Sequence, residues 1–170
     1  MKKKLFSLLM AMAMVLSLAI PAFASEGDDL VIAPAPSMSD SIVILHTNDV
    51  HGAVESYAKV AALKAQYEAL GAYVLVMDAG DFSQGTTYVS TSLGATAVEL
   101  MGLAGYDVAA PGNHEFDYGY EVLKANAASA KFPILAANVK YNGELAFGYH
   151  ETFTAPDGTK IGVFGLDTPE

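Results

Sequence analysis

The chain has 170 residues, with 19 acidic against nine basic side chains and a formal net charge of −10. Such an acidic surface repels nucleic acid polymers and anionic lipid, which disfavours both as partners. The absence of cysteine excludes disulfides, a thiolate metal site and a cysteine nucleophile.

The N-terminus has the layout of a secretory signal peptide. Three lysines at 2–4 precede an apolar run over 5–20, and residues 22–24 offer a small-x-small cleavage site. An uncleaved anchor or a buried helix is the alternative, but two serines interrupt the run, and a spanning helix needs about 18 unbroken apolar residues. We therefore expect residues 1–24 to be a signal peptide and the mature chain to be exported to the periplasm, the cell surface or the medium, with no transmembrane span.

The mature chain divides into a linker and one domain. Residues 25–41 are rich in small, acidic and proline residues, which predicts a flexible linker. The remaining stretch, 42–170, is long enough for one domain with a buried core.

The first half of that domain has the pattern of a strand-helix-strand unit. The apolar run 42–45 predicts a strand buried on both faces. Apolar residues then recur at helical spacing from Val60 to Leu70, and Gly71 stands where a glycine ends a helix. A second buried strand is predicted over 73–77.

The same pattern repeats further along. The sequence predicts a helix around 95–103, a strand at 108–110, a helix near 120–130 and a strand at 134–137. Right-handed crossovers between such units build a parallel sheet with helices packed against it. The predicted fold class is therefore α/β, with a mostly parallel sheet.

The C-terminal part departs from this pattern. Residues 149–154 and 160–166 flank Pro156-Asp157-Gly158, and an Asp-Gly pair favours a tight reversal. We predict a hairpin there.

Three polar segments each follow a predicted strand. They are HTNDVHG at 46–52, DAGDFSQG at 78–85 and PGNHEFDYG at 111–119. Ligands of an open α/β sheet bind beyond the carboxyl ends of its strands, so side chains from all three segments are expected to converge.

The first two segments offer metal ligands. Asp49 and His51 are two residues apart, so their side chains point to the same side of an extended chain and can coordinate one cation. Asp81 can bridge two cations about 3.5 to 4 Å apart, the separation that two-metal hydrolysis uses. Asp78 competes for that role, although a backbone bond at the strand end would satisfy it, and either aspartate taken alone could simply cap a turn.

The third segment adds a neutral ligand and a candidate catalytic pair. Asn113 offers an amide oxygen to a metal, and it also stands close to where substrate would bind. His114 can donate a proton to the substrate or stabilise charge on its phosphoryl oxygens. If the chain turns, Asp117 can hold the imidazole in one tautomer and raise its pKa. The combined nitrogen and oxygen donors suit Zn²⁺ or Mn²⁺.

At HTNDVHG, GDFSQG and GNHEFDYG the chain resembles the secreted 5′-nucleotidase family, which includes 2′,3′-cyclic nucleotide phosphodiesterases, within the calcineurin-like metallophosphoesterases. The resemblance runs from about Ile42 to the C-terminus and implies a layered α/β/β/α sandwich, of which residues 42–170 would be the first half of the catalytic domain. It also implies a small nucleotide or other phosphate ester as substrate.

The resemblance implies roles for the named residues. Asp49 and His51 would bind the first of two divalent metal ions, Asp81 would bridge them and Asn113 would bind the second. His114 and Asp117 would assist catalysis, with Asn113 and His114 also contacting substrate. A metal-bridging water would attack phosphorus in line.

An alternative stays open because the family completes its metal shells with three histidines from later motifs and binds the base in a C-terminal domain. Beyond His114 this sequence has only His150. The chain could therefore be a truncated, non-catalytic fragment that binds metal weakly or not at all.

Overall fold

A three-stranded parallel sheet forms the centre of the protein. The computed structural model describes residues 36–168. The strands in chain order are β1 (Ile42–Thr47), β2 (Tyr73–Asp78), β3 (Val108–Ala109), β4 (Lys140–Tyr141), β5 (Glu144–Leu145), β6 (His150–Thr154) and β7 (Lys160–Phe164). The helices are α1 (Glu55–Ala69), α2 (Thr87–Ser90), α3 (Ala95–Ala104) and α4 (Tyr120–Ser129), with a 3-10 helix at Asn113–Phe116. The sheet has the order β1-β2-β3, and two separate hairpins follow it.

The strand-helix-strand unit predicted from the sequence is confirmed. β1 and β2 pair in parallel, with Ile42 opposite Tyr73 and Thr47 opposite Asp78. Between them α1 ends at Ala69, and Gly71 follows with a left-handed φ of 94°. A glycine adopts this conformation without steric cost, which explains why the helix stops there.

The core lies between the sheet and the helices. Val74 and Val76 of β2 are buried, and α1 and α3 contribute Val60 and Met101 to the same cluster. Each fully buried side chain of this kind stabilises the fold by roughly 1.5 to 3 kcal/mol. This packing fixes where the loops beyond the strand ends lie.

The prediction that β1 is buried on both faces is wrong. Its residues alternate in exposure, and Ile42 and Ile44 are 39% and 51% exposed. Val43 and Leu45 point to the other side and pack against the core. The reason is that β1 is an edge strand whose second face has no covering layer in the part of the chain that the structure describes.

The strand predicted at 134–137 is present only as isolated bridges, from Ile134 to Ala109 and from Leu135 to Gly148. The backbone N–H of Leu135 donates to Ala109 O, whereas those of Ala136 and Ala137 donate to Gly148 and Gly165. Because successive N–H groups bond to three different segments, no regular ladder forms.

The hairpin predicted at the C-terminal end is confirmed. β6 and β7 pair antiparallel, with Thr154 opposite Lys160, and Gly158 in the turn has a φ of 89°. A second hairpin, β4 to β5, was not predicted. Its turn residues Asn142 and Gly143 both have positive φ, as the Asn-Gly pair of a tight hairpin turn requires.

The fold class is mixed α/β, as predicted, with a parallel sheet and antiparallel hairpins. The predicted signal peptide and most of the predicted linker lie outside the described residues. Within the last linker positions, the Met38 N–H donates to Leu70 O (2.7 Å) and Ser41 O accepts from the Tyr73 N–H (3.0 Å). Over residues 36–168, no helix combines the length and hydropathy needed to cross a membrane.

Candidate functional site

Two loops at the carboxyl edge of the sheet are bonded to each other by their backbones. The Asp49 N–H donates to Gly80 O, and the His51 N–H donates to Asp81 O, both at 2.9 Å. These bonds continue the parallel pairing of β1 and β2 past the strand ends. As a result, the segments containing Asp49, His51 and Asp81 are held side by side.

The same three residues have left-handed backbone conformations. Their φ angles are 51° at Asp49, 48° at His51 and 61° at Asp81. Residues other than glycine rarely adopt such angles, and the energetic cost is of the order of 1 to 3 kcal/mol each. Strained residues of this kind cluster at functional sites, where the surrounding structure fixes the side-chain direction.

Three side chains from the three predicted segments meet at this edge. His51, Asp81 and His114 each offer a donor atom within 4.8 Å of the other two. The rings of His51 and His114 lie edge to face, with centroids 5.3 Å apart. The structure therefore brings together residues that are more than 60 positions apart in the chain.

Asp49 lies beside this cluster. Its Oδ1 is 3.7 Å from His51 Nε2, and the two side chains are 61% and 37% exposed. On the other side of His51, Nδ1 is 3.2 Å from Gln84 Oε1. If Nδ1 carries the proton and donates to Gln84, Nε2 is left as the ring atom that can bind a cation.

His114 is held at two points. Its backbone N–H donates to Asp81 Oδ1 (3.0 Å), and its Nδ1 lies 2.8 Å from Asp117 Oδ2. The chain turns at this point because residues 113–116 form the 3-10 helix. The hydrogen bond to Asp117 raises the pKa of His114, since the carboxylate stabilises the imidazolium.

Asn113 borders a neighbouring polar pocket. This pocket has a volume of about 550 Å³ and is also lined by Phe116, Lys140 and Asp167, among others. Asn113 precedes His114 in the chain, but none of His51, Asp81 and His114 lines this pocket.

Asp78, the competing candidate, faces inward and is 4% exposed. Its Oδ1 accepts the Gly80 N–H (2.8 Å) and its Oδ2 accepts the Thr47 hydroxyl (2.5 Å). The Thr47 oxygen is also 2.8 Å from the Tyr106 hydroxyl. Burial raises the pKa of Asp78 to about 7, although these hydrogen bonds act in the opposite direction.

Glu115 was not assigned a role from the sequence. It is 2% exposed, and its carboxylate accepts hydrogen bonds from backbone N–H groups in the loop that follows β2 and in the loop that follows β3. Burial raises the pKa of Glu115, and the backbone donors lower it in part. Its position directly after the Asn-His pair was visible in the sequence, but its burial depends on the meeting of two distant loops.

The donor set fits a divalent cation. Imidazole and carboxylate groups are donors that borderline metals such as Zn²⁺ and Mn²⁺ accept. Three donors on one tetrahedral Zn²⁺ lie about 3.4 Å from one another, given bonds of about 2.1 Å. The three donor atoms here lie within 4.8 Å of one another, so they would have to approach by up to about 1.4 Å to share one ion.

Known proteins are similar to this chain in sequence and in fold. The family model for calcineurin-like phosphoesterase matches residues 42–169. The chain is 38% identical over 150 residues to a 5′-nucleotidase of Diplobatis ommata and 34% identical over 142 residues to one of Vibrio vulnificus. Each match covers 76% of this chain and 26% of the relative, so the chain spans about a quarter of the length of these curated relatives.

Solved structures agree with this assignment. A 5′-nucleotidase precursor from Thermus thermophilus matches with a TM-score of 0.66 and 30% identity, over 74% of this chain and 28% of that one. The NAD nucleotidase of Haemophilus influenzae matches with a TM-score of 0.63 and 30% identity, over 74% of this chain and 26% of that one. Because the family model covers well over half of the residues and the sheet has the same fold as these structures, the chain belongs to the calcineurin-like phosphoesterase family.

Proposed function

We propose that the chain supplies part of a metal-dependent active site that hydrolyses phosphate esters, with nucleotides as its substrate class. The convergence of His51, Asp81 and His114 at the carboxyl edge of the sheet is the observation that carries this proposal. Calcineurin-like phosphoesterases use divalent metals. The curated relatives are 5′-nucleotidases, which hydrolyse phosphoester bonds.

Asp49 and His51 are proposed to bind one divalent ion. The carboxylate of Asp81 would bridge this ion and a second one, and Asn113 would bind the second ion. The ions, as Zn²⁺ or Mn²⁺, would supply an activated water for attack at phosphorus and neutralise charge on the phosphoryl oxygens. The left-handed backbone at Asp49, His51 and Asp81 supports this assignment, because it is a strain that a metal site would account for.

His114 is proposed to act on the substrate rather than as a permanent metal ligand. Asp117 engages Nδ1, so Nε2 is the ring atom available to a phosphoryl or leaving-group oxygen. Because Asp117 raises the pKa of His114, the imidazolium that can donate a proton is present at higher pH than in a free histidine.

A metal titration with an isosteric variant tests the proposal. Asp81→Asn removes the ligand charge and keeps the side-chain shape, so we expect Mn²⁺ affinity to fall by at least about tenfold. Phosphate release from AMP and from an aryl phosphate should stop on chelation and return with Mn²⁺ or Zn²⁺. Asp157→Asn, in the β6–β7 turn, serves as the control. Release that survives both chelation and Asp81→Asn refutes the proposal.

A second candidate is a module that binds metal weakly and does not turn over substrate. Two observations favour it. The side chain of Asp49 is 61% exposed, and within residues 36–168 the cluster of histidines and acids close enough to hold an ion contains only three residues. Calorimetric titration of the purified chain separates the two candidates. Binding of two ions with turnover supports the enzyme, and binding in the millimolar range without phosphate release supports the module.

We also propose that the chain is exported. The basic and apolar layout of residues 1–24 supports this, as do relatives that include a snake venom 5′-nucleotidase and a 5′-nucleotidase precursor. Mass spectrometry of the product from a secreting bacterium should find Ser25 at its N-terminus. A product that keeps Met1 and sediments with the membranes would contradict export.

A further inference from the structure

The buried carboxylate of Glu115 accepts four backbone hydrogen bonds. Its Oε2 accepts the N–H groups of Asp81 (2.7 Å) and Gly112 (2.6 Å). Its Oε1 accepts those of Phe82 (3.0 Å) and Ser83 (2.9 Å). One side chain thus binds the backbone N–H groups of residues 81–83, in the loop after β2, and that of Gly112, in the loop after β3.

No basic side chain pairs with this carboxylate among the ion pairs of the described residues. Burying a polar or charged group is costly unless hydrogen bonds replace the lost water, so the four backbone donors must compensate for that cost. An apolar side chain at this position would leave these four backbone N–H groups without their acceptor.

The two loops that Glu115 joins also touch each other directly. Asp81 Oδ1 accepts the His114 N–H at 3.0 Å. At Gly80, an added Cβ would overlap the backbone nitrogen of Gly112, so the two loops approach as closely as their atoms allow. The relative placement of Asp81 and His114 is therefore set within this contact.

We propose that Glu115 is a positioning residue, which fixes the loop containing Asp81 against the loop containing Asn113 and His114 and thereby sets the geometry of the ligand cluster. The inference deepens the proposed function and rests on it, because that proposal assigns metal roles to Asp81 and Asn113 and a substrate role to His114. Glu115 itself lies behind the cluster, and it acts through the backbone N–H groups rather than through contact with a metal or a substrate.

Because the carboxylate of Glu115 accepts all four hydrogen bonds, the substitution Glu115→Gln is an informative test of its role. Each carboxylate oxygen accepts two N–H groups, so the amide nitrogen of Glu115→Gln would face two donors in either orientation. Glu115→Asp keeps both oxygens and the charge but is one methylene shorter. It can reach one loop at a time and should give an intermediate result.

The experiment compares these variants with Val98→Ala, a core substitution in α3 that lowers stability but removes none of the hydrogen bonds between the two loops. Val98 is 2% exposed, so its truncation destabilises the fold through a cavity. Amide hydrogen exchange is measured on the metal-free chain, and the Mn²⁺ dissociation constant and Mn²⁺ electron paramagnetic resonance spectrum are measured on the loaded chain.

At matched thermal stability, Glu115→Gln should speed exchange at Asp81, Phe82, Ser83 and Gly112 by at least about tenfold relative to Val98→Ala. It should also weaken Mn²⁺ binding by about tenfold or more and change the spectrum, as expected when the support of a ligand is lost. If Glu115→Gln does not fold, Glu115→Asp is tested in the same way, with smaller shifts in the same direction.

If Glu115→Gln has the same amide exchange rates and the same Mn²⁺ affinity as Val98→Ala, the inference is overturned, because Glu115 would then act only through global stability. A wild-type chain that binds no Mn²⁺ would instead contradict the proposed function. The exchange measurements would still decide the positioning role, since they require no metal.

Discussion

The Nδ1 atom of His114 lies 2.8 Å from Oδ2 of Asp117, the residue that directly follows the 3-10 helix. This contact orients the imidazole, and the carboxylate raises the pKa of His114. Asp117→Asn keeps a hydrogen-bond partner but removes the negative charge.

We therefore expect Asp117→Asn to shift the titration of His114 to lower pH, because the imidazolium loses its counter-ion. Histidine C2–H resonances followed by NMR between pH 5 and 9 measure this shift directly, and any activity limited by protonated His114 should shift in the same direction. Asp157→Asn is the control. A His114 titration that is identical in wild type and Asp117→Asn would contradict the electrostatic role of Asp117.

Asp78 should make stability depend on pH. Its pKa is about 7 in the folded chain, against 3.8 for an ordinary aspartate, so between these values the folded state keeps a proton that the unfolded state has lost. The free energy of unfolding should therefore fall as pH rises from about 4 to 7, by up to about 1.4 kcal/mol per pH unit from this group.

Asp78→Asn should remove much of that slope. Its amide can accept from the Gly80 N–H and donate to the Thr47 hydroxyl, which can rotate to donate to Tyr106 in turn. Urea unfolding at several pH values measures the effect. Glu115 adds a weaker slope of the same sign, since its pKa is also raised. Equal slopes in the wild type and Asp78→Asn would show that Asp78 is ionised in the fold.

Gln84 should tune metal binding through His51. Gln84 Oε1 is 3.2 Å from His51 Nδ1, so loss of the Gln84 amide would free the imidazole ring of His51 to rotate and to change tautomer. We expect Gln84→Leu to weaken Zn²⁺ binding by roughly 10- to 100-fold in calorimetric titrations. Gln66→Leu, on the exposed side of α1, makes the same chemical change away from the site. A comparable loss of affinity in both variants would rule out a specific role for Gln84.

Gly112 should not tolerate a side chain. A Cβ at this position would overlap Oδ1 and the backbone nitrogen of Asp81. Gly112→Ala must therefore displace Asp81, and overpacking of this kind costs about 1 to 3 kcal/mol. Thermal unfolding measures that cost, and amide NMR shifts at Asp81 and His114 should report the displacement.

The matched control is Gly162→Ala in β7, because an added Cβ at Gly162 meets no atom within 4 Å. We expect this variant to unfold close to the wild-type temperature. A Gly112→Ala chain as stable as Gly162→Ala, with unchanged NMR shifts at Asp81, would show that the two loops are not in close contact.

The sequence predicted the parallel sheet and the meeting of its loops because both depend on local patterns. Apolar runs mark the strands, and the connection rules of α/β folds bring segments such as those of His51 and Asp81 to one edge. The end of α1 and the β6–β7 turn were predicted for the same reason, since Gly71 and Gly158 adopt backbone angles that favour glycine.

Features that depend on tertiary surroundings were not predictable in this way. The exposure of Ile42 and Ile44 depends on what covers the second face of β1, which an apolar run does not reveal. The burial of Glu115 depends on four backbone donors from two loops. The β4–β5 turn differs, because the Asn142-Gly143 pair was a usable signal that the sequence analysis did not use.

The left-handed backbone at Asp49, His51 and Asp81 affects how a mutational scan of this protein should be designed. Alanine at these positions would remove a functional group and also impose a conformation that alanine disfavours, so the measured loss would mix two effects. Glycine relieves the conformational penalty, and asparagine tolerates it better than most residues. A series of alanine, asparagine and glycine at each position would therefore separate the chemical contribution of the side chain from the tolerance of the main chain.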